Sequence, residues 1–290
     1  MPDNESMDRL RQFVRATFPY LVFIGVFIVG MLLIMLWANG SEAAPAIQPR
    51  AHSHNDYTRE HPLLDALALG FCSVEADIHL MDGALLVAHD RDEVEPARTL
   101  EAMYLKPLWA RFEAYQGSIY REPAPFTLLI DIKSDAAETF RVLERQLAAY
   151  APMLSRFTAD NTETGAVTVV ISGNRANDVI LASEPRFAGI DGRLDDLEGP
   201  VNPHQMPLVS DNWFKHFKWL GVGEMPTEEV ERLNAIVAKA RDAGVRLRFW
   251  AIPQSPVVWG QLYDAGVDLL NADDLPALHA LLMEKQGGRR

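Results

Sequence analysis

The sequence predicts an α/β protein, a (β/α)8 TIM barrel preceded by one transmembrane helix. Three observations carry this expectation. From about residue 46 to the end, apolar runs rich in β-branched residues alternate with stretches of helical periodicity, as in parallel strands joined by helical crossovers. Roughly eight such units fill residues 46–290, a size that suits a closed barrel better than an open sheet. The third is the uncharged run FPYLVFIGVFIVGMLLIMLW at Phe18–Trp37, long enough at about 20 residues to cross a bilayer.

Taken in order, residues 1–17 form a tail carrying Arg9, Arg11 and Arg15, and no Lys or Arg follows until Arg50. That asymmetry predicts a cytoplasmic tail, an anchor at 18–37 in the cytoplasmic membrane, and a single-pass topology with everything after it on the extracytoplasmic side. A cleaved signal peptide ending near Ala43 and Ala44 is the rival, but its apolar core is usually only about 7–15 residues. Residues 38–45 are a linker of small residues and proline. The barrel, 46–290, begins with a strand at Ile47–His54 and a helix at Pro62–Leu69. Strands at Phe71–Leu80 and Ala84–His89 flank an Asp82-Gly83 turn, the dipeptide of a tight hairpin. A helix at Leu100–Tyr115 leads to a strand at Phe126–Lys133, a helix at Ala136–Met153 and a strand at Ala166–Ser172. A helix at Arg175–Ala182 precedes strands at Phe187–Asp191 and Pro207–Ser210. Then come a helix at Thr227–Ala243, a strand at Arg246–Ile252, a helix at Pro256–Ala265, a strand at Val267–Asn271 and a helix at Leu275–Glu284. Gly70, Gly244 and Gly266 stand just past helices, as stop residues do.

The net charge of −13 excludes nucleic acid as a partner, since a phosphate backbone selects basic surfaces. The single cysteine, Cys72, excludes an internal disulfide and a thiolate metal cage; a buried structural thiol is expected. No Gly-rich phosphate loop of the nucleotide-binding type is present.

In a barrel, chemistry sits at the C-terminal ends of the strands. The polar residues fall there: His54 and Asn55 on the first strand, Glu75, Asp77 and His79 on the second, His89 after the hairpin, Asp131 and Lys133 on the next. Glu75 and Asp77 are spaced i,i+2 and so share one strand face. Two carboxylates side by side on a buried face repel, and a divalent cation relieves them. Asp131 is the expected third ligand and Lys133 a clamp on a phosphate oxygen, with a plain buried ion pair as the bland alternative. Histidines on both sides of the acids titrate near neutral pH. His54, nearer the mouth, is the preferred acid/base with His89, and His52, one layer deeper, is expected to hold a supporting hydrogen bond. A hard cation, Ca²⁺ or Mg²⁺, with two imidazoles is equipment for cleaving a phosphodiester.

At these residues the chain resembles the phospholipase C-like phosphodiesterase superfamily. Ser53-His54-Asn55-Asp56-Tyr57 is similar to the Ser-His-Asn-x-Tyr segment of eukaryotic phospholipase C, and Glu75-x-Asp77 with His89 resembles an arrangement shared by glycerophosphodiesterases, phosphatidylinositol-specific phospholipases C and sphingomyelinase D. Asp131-x-Lys133 is similar to the Asp-x-Lys of sphingomyelinase D, and Gly266–Asp274 to the closing strand of glycerophosphodiesterases. The resemblance runs from about Ala46 to the end and is nearest to the altered-inheritance-of-mitochondria branch bearing His-x-His-Asn-Asp-Tyr. It implies Asn55 as a further metal ligand. The glycerophosphodiesterase His-Arg-Gly and Pro-Glu-Asn signatures are absent, and that family's alignment would make His52 the catalytic histidine.

The resulting expectation is a membrane-anchored, metal-dependent phosphoric diester hydrolase acting on a phosphodiester, lipid-derived ones included. Two rivals stand beside it. An amidohydrolase-type metal hydrolase would use His52-x-His54 but needs further histidines on later strands, which Phe187–Asp191 and Pro207–Ser210 lack. A catalytically silent barrel binding lipid headgroups would not need both acids and both histidines.

Overall fold

The computed structural model describes residues 44–288. Nine strands build the main sheet: β1 (Gln48–Ser53), β2 (Phe71–Met81), β3 (Ala84–Val87), β4 (Phe126–Ile132), β5 (Val167–Gly173), β6 (Ala188–Gly192), β7 (Leu208–Asn212), β8 (Arg246–Trp250) and β9 (Leu270–Ala272). All except β3 pair in parallel in chain order, and β9 pairs back onto β1. The β8–β9 seam closes through the Arg248–Leu269 bridge, where Leu269 N–H donates to Leu247 O at 3.0 Å. The result is a near-closed parallel barrel of eight strands. β3 is the antiparallel partner of β2's far end, with Asp82 and Gly83 both at positive φ in the turn.

Helices cover the outside: α1 (Leu64–Ala68), α2 (Lys106–Ala114), α3 (Ala136–Ala148), α4 (Asn177–Ala182), α5 (Trp213–His216), α6 (Thr227–Asp242), α7 (Pro256–Ala265) and α8 (Leu275–Gly287). Prolines reshape two of the expected helices, the first without moving its limits by more than one residue. Pro107 has no N–H to return to the preceding turn, and Glu101–Leu105 winds as a π-turn before α2. Pro152 likewise ends α3 at Ala148 and leaves a short 3₁₀ turn at Ala151–Met153. The four-residue α5 and a small ribbon at Arg156–Phe157 and Thr162–Glu163 were not anticipated, being too short to show a period. No helix among the described residues is long and apolar enough to cross a membrane. The expected tail, the anchor Phe18–Trp37 and linker residues 38–43 lie outside the described residues.

Strand alternation separates two environments. Outward residues such as Val74, Ala76, Ile78, Leu128, Ile130 and Ile132 join Phe140, Leu143 and Leu147 of α3 in one buried core. Each such side chain contributes about 1.5–3 kcal/mol of transfer free energy. Inside the barrel, Leu129, Val170, Leu208 and Leu269 form a separate apolar floor. Two residues further along the same strands the face turns polar, to Asp131, Ser172, Ser210 and Asn271. The other four strands complete that upper layer with His52, Glu75, Asp191 and Arg248, all buried. Pro45–Arg290 is a compact unit. Its sheet closes on itself, and its core among the described residues starts at Ile47. This unit therefore contains what it needs to fold by itself.

Candidate active site

The loop leaving β1 is stapled by Asp56. Its carboxylate accepts from Ser53 Oγ (2.7 Å), Leu63 N–H (2.5 Å) and Tyr104 OH (3.0 Å), all buried. With the loop fixed, Asn55 takes a left-handed conformation at φ 45°, which asparagine tolerates. His54, Asn55 and Tyr57 are thereby held at the barrel mouth. His54 and Asn55 line a cleft of about 510 Å³ that also reaches Glu75, His89, Asp131, Lys133, Arg193, Arg248 and Trp250.

Glu75, Asp77 and Asp131 converge there. The parallel register sets Asp77 opposite Asp131, and one oxygen from each of the three carboxylates lies within 4.8 Å of the others. Burial pushes Asp131 up to about 6, opposed by Lys133 and reinforced by Asp77 and Glu75. Burial and the neighbouring Glu75 also raise Asp77, against Lys133 and a hydrogen bond from Tyr57. Burial acts on Glu75 in the same direction, but Arg248, a hydrogen bond from His52 and the charge of His54 outweigh it and hold Glu75 well below the usual carboxylate range. Asp77 Oδ1 is buried with no hydrogen-bond partner. Gly173 makes room for the cluster, since a Cβ there would collide with Asp131 Oδ1. Three hard oxygen donors, one of them orphaned, in a cradle emptied of side chain fit a divalent cation of the Ca²⁺ or Mg²⁺ kind.

Lys133 Nζ lies 3.1 Å from Asp77 Oδ2 and 3.2 Å from Asp131 Oδ1, so its ammonium sits between the acids rather than projecting freely into the cleft. Asn55 Oδ1 is engaged by Tyr57 OH at 3.1 Å, and the same hydroxyl lies 2.8 Å from Asp77 Oδ2.

The three histidines differ in setting. His52 is fully buried; Nδ1 meets Ser73 Oγ at 2.7 Å, and Nε2 meets Arg248 Nη1 at 2.9 Å and Glu75 Oε2 at 3.2 Å. Burial, with Arg248 beside it, lowers its pKa to about 4. The ring is therefore neutral, with Nδ1 against Ser73 and Nε2 between Arg248 and Glu75, and neither nitrogen is left free to move a proton. His54 stands at the mouth with Nδ1 2.7 Å from Asp273 Oδ1, which leaves Nε2 toward the cleft. His89, about half exposed, has Nδ1 3.0 Å from Asp77 Oδ2. His79 does not line the cleft; its Nε2 bonds the His89 carbonyl at 3.2 Å, fixing that segment. His61, His204, His216 and His279 do not line the cleft.

Two residues escaped sequence reasoning. Arg248 is buried and bonds both His52 and Glu75, the latter at 3.2 Å; the signal was Arg246-x-Arg248, two cations on one strand face. Asp273, which orients His54, follows the last strand, where the strand-end rule points. On the far wall, buried Asp191 accepts from Ser172 Oγ (2.7 Å), Ser210 Oγ (2.5 Å) and Arg193 Nη1 (3.0 Å), holding Arg193 at the cleft.

Comparison with known proteins yields a consistent set of relatives. Residues 42–188 match the AIM6-like phosphodiesterase domain family. The chain is 33% identical over 265 residues to Altered inheritance of mitochondria protein 6 of Eremothecium gossypii, covering 79% of this chain and 68% of that one. It is 29% identical over 278 residues to the protein of that name from Lachancea thermotolerans, covering 79% and 64%. The Arthroderma benhamiae homolog is 26% identical over 260 residues, covering 78% and 81%. Among solved structures, a glycerophosphodiester phosphodiesterase from Agrobacterium tumefaciens aligns with TM-score 0.47 and 16% identity over 81% of this chain and 100% of that chain.

Proposed function

Since the chain belongs to the AIM6-like phosphodiesterase domain family, we propose that it is a metal-dependent phosphodiester hydrolase in which His54 and His89 serve as the general acid and base. The observation that carries this reading is the placement of two accessible imidazoles, each oriented by a carboxylate, on either side of Glu75, Asp77 and Asp131.

Glu75, Asp77 and Asp131, with Asn55 beside them, would hold the cation. When bound, it supplies positive charge against the phosphodiester and the charge that develops on it. Asp273 keeps His54 in the tautomer whose Nε2 is free, so this ring can take a proton from water or a substrate hydroxyl, or return one. Asp77 orients His89 in the same way from the opposite side. One imidazole removes the nucleophile's proton while the other protonates the leaving oxygen. Arg248, locked against Glu75 and His52, keeps the first acid ionised and presents a fixed guanidinium at the cleft. The apolar floor below closes the site from the other end of the barrel.

All-oxygen donors favour this reading over an amidohydrolase centre, because His52 is spent on Ser73 and Arg248 rather than turned to a cation site. The anchor expected at 18–37 would hold the enzyme at the cytoplasmic membrane with access to lipid-derived phosphodiesters. The test is a panel of phosphodiesters assayed with EDTA and with Ca²⁺ or Mg²⁺ restored. Activity that returns with the cation in the wild type, but not in Glu75→Gln or Asp77→Asn, supports the proposal. Unchanged activity of both variants in EDTA overturns it. Absence of turnover on every diester, with the cation still bound, favours the silent headgroup-binding barrel.

A further inference from the structure

We propose that Tyr57 is a positioning residue that divides the work of Asp77, committing Oδ2 to His89 and keeping Oδ1 for the cation. Such a role presupposes the metal-dependent function proposed above, which leaves Tyr57 without a part. Asp77 has two tasks there. It orients His89 through Nδ1 at 3.0 Å, and it is one of the three carboxylates that converge. The terminal torsion of an aspartate is broad and roughly two-fold, so its own chemistry reserves neither oxygen for either task.

The surroundings reserve them. Oδ2 meets three groups from three parts of the chain: Tyr57 OH at 2.8 Å, His89 Nδ1 at 3.0 Å and Lys133 Nζ at 3.1 Å. Oδ1 is buried and meets no hydrogen-bond partner. Two of the three groups on Oδ2 cannot fix the carboxylate by themselves. Lys133 is shared with Asp131 Oδ1 at 3.2 Å, and His89, about half exposed, is the group to be oriented. Tyr57 is the rigid member. Its ring is buried, its carbonyl accepts from Arg98 Nη2, and its short turn begins on the stapled Asp56.

A count of protons sets the direction of these bonds. Burial, with Asp77 beside it, pushes the Tyr57 hydroxyl well above its ordinary pKa, so the phenol keeps its single proton. Asp77 Oδ2, the nearest acceptor and a charged one, takes that proton. Asn55 Oδ1, at 3.1 Å, receives only the weaker branch of a three-centre bond. His89 Nδ1 lies 3.3 Å from the same hydroxyl. It therefore meets two oxygens, neither of which has a proton to offer, and must bring its own N–H. The phenol thus disfavours the tautomer with a bare Nδ1 and leaves Nε2 of His89 as the basic nitrogen. Without the hydroxyl, Asp77 is free to turn, and both tasks suffer together.

The test compares Tyr57→Phe, which keeps the buried ring, with Tyr104→Phe, which removes the phenol that bonds Asp56 on the same loop but does not touch Asp77. Ring nitrogen chemical shifts of His89 are recorded on residues 45–290 in EDTA at alkaline pH, with His89→Gln to assign the signals. The wild type and Tyr104→Phe should show one tautomer, protonated at Nδ1, and Tyr57→Phe an average of two. Calorimetric titration with Mg²⁺ and with Ca²⁺ is the second readout. Its Kd should rise roughly 10–100-fold in Tyr57→Phe, the usual loss when a partner that orients a metal ligand is removed. Replacement of Tyr57 by para-aminophenylalanine, which offers an N–H at the same place, should recover most of both effects. Thermal unfolding verifies that each variant folds. The proposal is overturned if Tyr57→Phe keeps the wild-type ring shifts, or if Tyr104→Phe changes them as much, which would make the phenol structural only. Altered ring shifts beside an unchanged Kd overturn the reservation of Oδ1. A wild type that binds neither cation defeats the metal-dependent function itself, whereas the ring shifts, recorded without cation, still decide whether Tyr57 fixes Asp77 and His89.

Discussion

Gly173→Ala probes the metal site without touching any charge. Gly173 ends β5 at φ +68°, and a Cβ there would meet Ile132 O at 2.6 Å and Asp131 Cγ at 2.8 Å, as well as colliding with Asp131 Oδ1. A left-handed L-residue costs about 1–2 kcal/mol, which for a domain this size lowers Tm by roughly 2–8 °C. The clash adds a second consequence. A carbonyl oxygen on one side and a carboxylate on the other leave the methyl no free direction, so Asp131 must swing away from Asp77. A cation held by three carboxylates then loses one. If its Kd rises about 100-fold, the stabilisation of about 2.7 kcal/mol expected at a concentration of 100 Kd almost vanishes. The assay is the Tm difference between EDTA and saturating Ca²⁺ or Mg²⁺, measured for wild type, Gly173→Ala and Asp131→Asn. The alanine variant should melt lower in EDTA and lose most of the cation-induced rise, approaching Asp131→Asn. A variant that melts lower in EDTA but keeps the full wild-type rise would refute the assignment of Asp131 to the cation.

Further outcomes follow from the same geometry. His54→Ala and His89→Ala should each lower the rate by roughly 10²–10⁴-fold, with Asp273→Asn causing a smaller loss and His52→Ala acting mainly on stability; a larger rate loss at His52 than at His54 in steady-state kinetics would reverse the assignment. Arg248→Met strands Glu75 as a buried carboxylate and should cost about 3–5 kcal/mol in denaturant unfolding with EDTA present, partly recovered when the cation is added; an unchanged midpoint would show that the pair is not structural. His52 has a folded pKa of about 4 against an ordinary 6.5, so its neutral burial stabilises the fold fully above pH 6.5, and that contribution is lost as pH falls toward 4. In EDTA, the stability gap between wild type and His52→Gln should therefore narrow by roughly 2–3 kcal/mol between pH 7.5 and 4.5, and a constant gap would mean that the ring is not held neutral. Protease treatment of intact spheroplasts should digest the barrel while carbonate-washed membranes retain the intact chain; a shortened soluble form would mean that residues 18–37 are cleaved, and a protected membrane-bound form that the topology is inverted.

What the sequence by itself determined was local. Alternation along a strand sets Glu75 and Asp77 on one face, and the run Phe126–Ile132 carries Asp131 at its C-terminal end whatever lies elsewhere. The Asp82-Gly83 turn, the order of strands and the concentration of polar residues at strand ends are likewise short-range properties of the chain. The expected limit of the helix at Ala136–Met153 failed where Pro152 interrupts an otherwise helical pattern, and Trp213–His216 is too short to show one. Tertiary structure decided who meets whom across the ring. Arg248 reaches His52 over 196 residues of sequence and Asp273 reaches His54 over 219, because closure of β8 and β9 onto β1 brings the last strands beside the first. The same closure separates His52, sealed between Ser73 and Arg248, from His54 at the mouth, although the two share one strand face. Parallel pairing of β4 with β2 and β5 seats Lys133 between Asp77 and Asp131, and leaves Asp131 only as much room as Gly173 allows. Periodicity states which face of an element a side chain occupies. It carries no information about the neighbour that a closed barrel sets opposite that face, and the burial and charge of that neighbour decide what the side chain can do.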